Sequence, residues 1–76
     1  MTCPVIMKDT ADVKRVNEVA TQAHLDMYIR AGSRVIDPRS LLGLFTFIGK
    51  EAILVAPDST DPKYFLSVIK KMNIAR

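Results

Sequence analysis

The sequence predicts an α+β fold of order β-α-β-β-α-β-α: a four-stranded antiparallel sheet with three helices on one face, in a single domain over residues 1–76. Three observations predict it. Apolar residues alternate with period two in Thr2–Lys8 and again in Leu25–Arg30. They recur at helical spacing between Val13 and Ala23 and between Phe65 and Met72. Two Asp-Pro pairs, at 37–38 and 61–62, mark helix starts, because the aspartate can cap and the proline loses no hydrogen bond at the first helical position.

In the first strand Cys3, Val5 and Met7 share one face and Thr2, Pro4 and Ile6 the other. Pro4 cannot donate to a ladder, so this strand belongs at a sheet edge, beside the fourth strand. Asp9 or Thr10 caps the first helix, Asp12 places a negative charge in its first turn, and Val13, Val16, Val19, Ala20 and Ala23 form its stripe. The helix is expected to end near His24. In the second strand Leu25, Met27 and Ile29 point one way, and Asp26, Tyr28 and Arg30 the other. Ala31-Gly32-Ser33 turns the chain into a short return strand, Arg34–Ile36, with Gly32 free to take a positive φ.

The stretch Ile36–Gly49, I-D-P-R-S-L-L-G-L-F-T-F-I-G, reads as a very apolar helix capped by Asp37, started by Pro38 and stopped by Gly49. Leu41, Leu42, Leu44, Phe45, Phe47 and Ile48 cover more of its circumference than a one-sided surface helix needs. Either this is a core helix with surplus hydrophobicity, or Leu42 and Phe45 form an exposed docking patch. It is far below the roughly 20 residues of a membrane span. Ala52–Ala56 is an apolar run suited to a central strand, and Pro57–Thr60 is a loop. The last helix takes Asp61 as cap and Pro62 as first residue, buries Phe65, Val68, Ile69 and Met72, and sets Lys70 and Lys71 at the negative end of its dipole.

With 76 residues, folding buries only roughly 60–65% of the unfolded chain's surface, which predicts modest stability. Eleven basic and eight acidic residues are spread along the chain, and a solvated surface accounts for the net charge of +3 without a nucleic-acid partner. There is no phosphate-binding glycine loop and no Cys/His cluster with metal spacing, so no cofactor or metal is expected. The single cysteine, Cys3, and the lack of a signal-peptide pattern point to the cytoplasm.

This element order, together with R-S-L-L-G-L-F-T-F at Arg39–Phe47, resembles the HPr family, the small phosphocarriers of the bacterial phosphoenolpyruvate-dependent sugar phosphotransferase system. The family's stretch reads K-S-I-[LM]-G-[VL]-M-S-L, and the ungapped register also sets Val16, Val19 and Ala20 on its first-helix core positions. The resemblance implies an open-faced sandwich, bacterial origin and a role connected with sugar transport. It also shows a loss. Members carry the phosphoryl group on the histidine of a G-[LI]-H-A-R-P loop, whereas here Asp9 stands at the histidine's position and Ala11 at that of its arginine.

A neutral imidazole and a nearby cation are what phosphoryl transfer by that route needs, so no catalytic residue is expected. Lys14 and Arg15, one turn on, read as a solvated helix face, and His24 as a surface or C-terminal residue. What the resemblance carries over is Ser40, at the position of the serine that a dedicated kinase modifies in many members, and Leu41, Leu42 and Phe45, at the partner-docking patch. A phosphate on Ser40 would meet free N–H groups at a helix start. The connection from Ile48 to Ala52 is several residues shorter than the family's.

The expected function is thus a regulatory or docking module, not an enzyme, acting on HPr-type partners such as enzyme I, a serine kinase or a transcription regulator. Two alternatives stand beside it. One is a phosphocarrier with Asp9 or His24 as an atypical acceptor; the other is a small RNA-binding α+β domain, for which the strands offer Tyr28 as their one aromatic.

Overall fold

The computed structural model describes residues 1–76. Its elements are β1 (Thr2–Ile6), α1 (Thr10–Gln22), β2 (Tyr28–Ala31), β3 (Arg34–Ile36), α2 (Leu41–Phe45), β4 (Glu51–Val55) and α3 (Pro62–Met72). The strands form one antiparallel sheet in the order β1-β4-β2-β3. This is the predicted α+β architecture and element order, with the first and fourth strands paired.

Period-two alternation sorts the strand side chains onto two faces. Val5, Ile29, Ala52 and Leu54 are buried under the helices, where they meet Val13, Val16 and Ala20 of α1, Leu44 of α2, and Phe65, Val68 and Met72 of α3 in one contiguous core. The opposite face carries no helix. Its cross-strand rows run Val35, Arg30, Ile53, Pro4 and then Tyr28, Val55, Thr2, with Ile6 opposite Glu51.

Pro4 lies where its missing N–H does least harm. Odd-numbered residues of β1 bond to β4, as the Ala56 N–H donating to the Met1 carbonyl shows, so Pro4 faces the free edge. That edge is partly covered by the chain's last residues. Ile6 N–H donates to the Ile74 carbonyl at 2.9 Å, and Arg76 N–H to the Pro4 carbonyl at 3.0 Å. Asn73, in the left-handed conformation at the end of α3, turns the chain into this short strap.

Two expectations are corrected. The helix expected over Ile36–Gly49 with Asp37 as cap is only five residues long and is capped by Ser40, whose Oγ accepts the Gly43 N–H at 3.3 Å. Asp37 instead closes a turn: its carbonyl accepts the Ser40 N–H at 2.8 Å and its Oδ1 the Arg39 N–H at 2.9 Å. The Pro38 and Arg39 carbonyls, which a longer helix would use, accept the side-chain amide of Asn17 on α1 at 3.3 and 3.0 Å. Past Phe45 the N–H groups of Thr46, Phe47, Ile48 and Lys50 bond in the i−3 pattern, a set of tight turns ended at Gly49, which has φ +78° and donates to the Met7 carbonyl instead.

The second correction concerns β2, which begins at Tyr28 and not Leu25 because its partner β4 ends at Val55. The side-chain alternation nonetheless extends back: Met27 is buried, Leu25 half-buried and Asp26 exposed. No helix is long and apolar enough to cross a membrane.

Candidate functional site

Two places hold the residues singled out in the sequence. At the start of α1, Asp9 is the N-cap, its Oδ1 accepting the Asp12 N–H at 2.9 Å, and Asp12 Oδ2 reaches back to the Lys8 N–H at 2.8 Å. That N–H, and then the Arg15 guanidinium bonded to the same carboxylate, hold Asp12 below the usual carboxylate range. Arg15 also donates from Nε to the Met72 carbonyl at 2.7 Å. Together with Asn73, Ile74 and Ala75 these groups enclose a hollow of about 400 Å³.

The charge pattern decides what this hollow suits. Asp9 accepts the Asp12 N–H and Asp12 the Lys8 N–H, and Arg15 is committed to Asp12 and to the end of α3, while Lys8, the other cation lining the hollow, makes no ion pair. An incoming phosphate would meet like charge from Asp9 and Asp12, with Arg15 already engaged. Ala11 and Lys14 are exposed. His24 lies past the opposite end of α1, exposed, with its backbone N–H donating to Tyr64 Oη at 2.9 Å, so the fold does not bring it to Asp9.

The second place is α2. Leu44 and, just beyond, Phe47 are wholly buried, which fixes the inward face. Leu42 on the outward face is 81% exposed, Leu41 is exposed at its side, and Phe45 is half-buried against the core. The three predicted docking residues therefore divide: Leu42 is free, Leu41 is partly so, and Phe45 is half-buried.

Ser40 is exposed beside them. With five residues α2 supplies only a small dipole, so the expected help to a phosphate from the helix start is less than the sequence suggested. Charge comes instead from side chains. Arg39 forms a fork onto Asp37, with Nε to Oδ1 and Nη2 to Oδ2 both 3.2 Å, which holds Asp37 below the usual carboxylate range.

Arg34 of β3 places its guanidinium 5.4 Å from the centre of the Phe47 ring and donates to Thr46 Oγ1 at 3.1 Å. Sequence reasoning missed Arg34 and Asn17 as parts of this surface: Asn17 reaches the Pro38 and Arg39 carbonyls from α1, and Arg34 reaches past α2 to Thr46 from the preceding strand, contacts that no local pattern marks. On the open face of the sheet Tyr28 is the one aromatic among the strand residues. Searches against protein-family models and against curated proteins return no match to this chain.

Proposed function

We propose that this chain is a divergent HPr-like protein that has given up phosphoryl carriage and works as a regulatory docking module through α2. The observation that carries the reading is Leu42, 81% exposed on a helix whose inward residue Leu44 is wholly buried. An isolated leucine on a surface is ordinary; here it stands beside exposed Leu41, half-buried Phe45 and the modifiable hydroxyl of Ser40. Arg34 and Arg39 flank the patch and favour a partner, such as a transcription regulator, whose apolar cleft is edged with carboxylates.

The start of α1 supports the loss of carriage. Asp9 spends an oxygen on its own helix beside the like charge of Asp12, and Arg15 is tied to Asp12 and Met72 and not to Asp9. A phosphate on Ser40 would add about two negative charges next to Leu41 and Leu42 and would compete with Asp37 for Arg39, changing which partner the patch accepts.

The test is an incubation with enzyme I and phosphoenolpyruvate, and separately with an HPr serine kinase and ATP, followed by mapping of the modified residue. Label on Ser40 alone is expected. Label on Asp9 or His24 would restore the carrier reading and overturn this one. For any partner captured by the protein, Leu42→Asp is expected to abolish binding while the fold, followed by circular dichroism, is unchanged.

A further inference from the structure

We infer that Asn17 of α1 is the positioning residue of the α2 patch, selecting between two starts of that helix, one at Leu41 and one at Pro38. The inference rests on the patch being the docking surface and supplies a means of regulating it.

Asp37-Pro38 and Asp61-Pro62 make the same first contact. Asp37 Oδ1 accepts the Arg39 N–H at 2.9 Å, and Asp61 Oδ1 accepts the Lys63 N–H at 3.0 Å. At Asp61 a helix of 11 residues follows. After Asp37 the chain makes one turn, closed by the Ser40 N–H on the Asp37 carbonyl, and then breaks at Ser40, whose φ of −91° and ψ of 104° are extended. The helix resumes at Leu41 with Ser40 as its cap.

Rotating Ser40 into the helical region would join the turn to the helix, which would then run from Pro38 with Asp37 as cap. The Leu42 and Gly43 N–H groups would donate to the Pro38 and Arg39 carbonyls. Those are the two carbonyls that the Asn17 side-chain amide holds, at 3.3 and 3.0 Å, from 21 and 22 residues away along the chain. Asn17 therefore stabilises the interrupted form over the continuous one.

Leu44 and Phe47, wholly buried, anchor the far half of the segment, so the change moves the near half. Ser40 Oγ would leave the Gly43 N–H, which it now accepts at 3.3 Å, and the Asp37–Arg39 fork would move with its turn away from α1. In the interrupted form Ser40 is a cap with its hydroxyl engaged; in the continuous form it is the third helical residue with its hydroxyl free. A partner or modifying enzyme that distinguishes the two forms is controlled through α1.

Nuclear magnetic resonance of the whole chain reads the choice with no partner present. Asn17→Ala and the nearly isosteric Asn17→Leu both preserve α1, because alanine and leucine are better helix formers than asparagine. Loss of two hydrogen bonds should shift the ratio of the two forms by about tenfold or more, seen as Cα chemical shifts of Pro38, Arg39 and Ser40 moving toward helical values. Adding Asp37→Ala should move them back, since the continuous helix then lacks its cap.

Shifts unchanged in both Asn17 variants overturn the proposal. So do random-coil shifts that Asp37→Ala does not reverse, which would make Asn17 a tether of the turn and not a selector. A Leu42→Asp variant that leaves partner binding intact would count against the docking reading alone, and these shifts would stand.

Discussion

Arg15 on α1 donates its Nε–H to the carbonyl of Met72, the last residue of α3, at 2.7 Å, while its Nη2 holds Asp12 one turn back on its own helix. One side chain thereby caps the end of one helix from the first turns of another, just before the chain turns at Asn73 into the strap along β1. The contact is charge-assisted and half-shielded, with the arginine side chain 35% exposed.

Removing it has a local and a global consequence. Arg15→Ala is expected to destabilise the protein by about 1–2 kcal/mol, since it removes the guanidinium from the Met72 carbonyl and from one oxygen of Asp12. Urea denaturation measures the loss. Amide exchange at Ile6, whose N–H bonds to Ile74, is expected to quicken more than exchange in β2, because the strap loosens first.

Acid stability should depend on Asp12. Its carboxyl is held low in the folded state by the Lys8 N–H first and Arg15 after it. A depressed folded pKa contributes stability that is fully present above the unfolded value, about 3.9, and disappears as pH falls through the folded one. Thermal unfolding measured from neutral pH down to strong acid should therefore show a loss below about pH 4 that Asp12→Asn reduces, the variant being less stable at neutral pH but flatter toward acid. Asp37 is shifted the same way by Arg39, but half its side chain is exposed, so Asp37→Asn should change this limb little.

The exchange of capping roles between Asp37 and Ser40 can be read amide by amide. Ser40→Ala should speed hydrogen exchange at Gly43 and cost about 0.5–1 kcal/mol, the low end for a cap because the bond is long. Asp37→Ala should speed exchange at Arg39 and Ser40 and leave Gly43 protected. The opposite pattern would mean that the helix begins at Pro38 after all.

Gly49 sits at φ +78° with open space where a Cβ would go, and its N–H donates to the Met7 carbonyl at 2.7 Å. The penalty of a side chain there is conformational only. Gly49→Ala should destabilise by about 1–2 kcal/mol and Gly49→Asn by clearly less, because asparagine tolerates the left-handed region. Chemical denaturation of the two variants checks the order.

Much of this molecule is decided by short-range chemistry. The alternation of Cys3-Val5-Met7 and of Met27-Ile29, the stripe of α1, and the Asp61-Pro62 start of α3 each depend on periodicity or on groups within one turn of chain, and each appears as the sequence predicts. Pro4 at a free edge follows from a missing donor, which no tertiary contact can supply.

The rest was settled by groups far apart along the chain. Asp37-Pro38 carries the same capping chemistry as Asp61-Pro62, yet starts no helix, because Asn17 reaches across to take the carbonyls that a helix there would need. The surplus of apolar residues in Leu41–Ile48 left open which ones are outside. Only the packing of Leu44 and Phe47 into the core turned Leu42 outward and half-buried Phe45. Likewise Arg15 reads from the sequence as a solvated face, and its bond to Met72 exists because the fold lays the end of α3 beside the start of α1. Local sequence sets which hydrogen bonds a segment can make by itself; where two segments compete for the same carbonyl or the same buried volume, the tertiary structure decides.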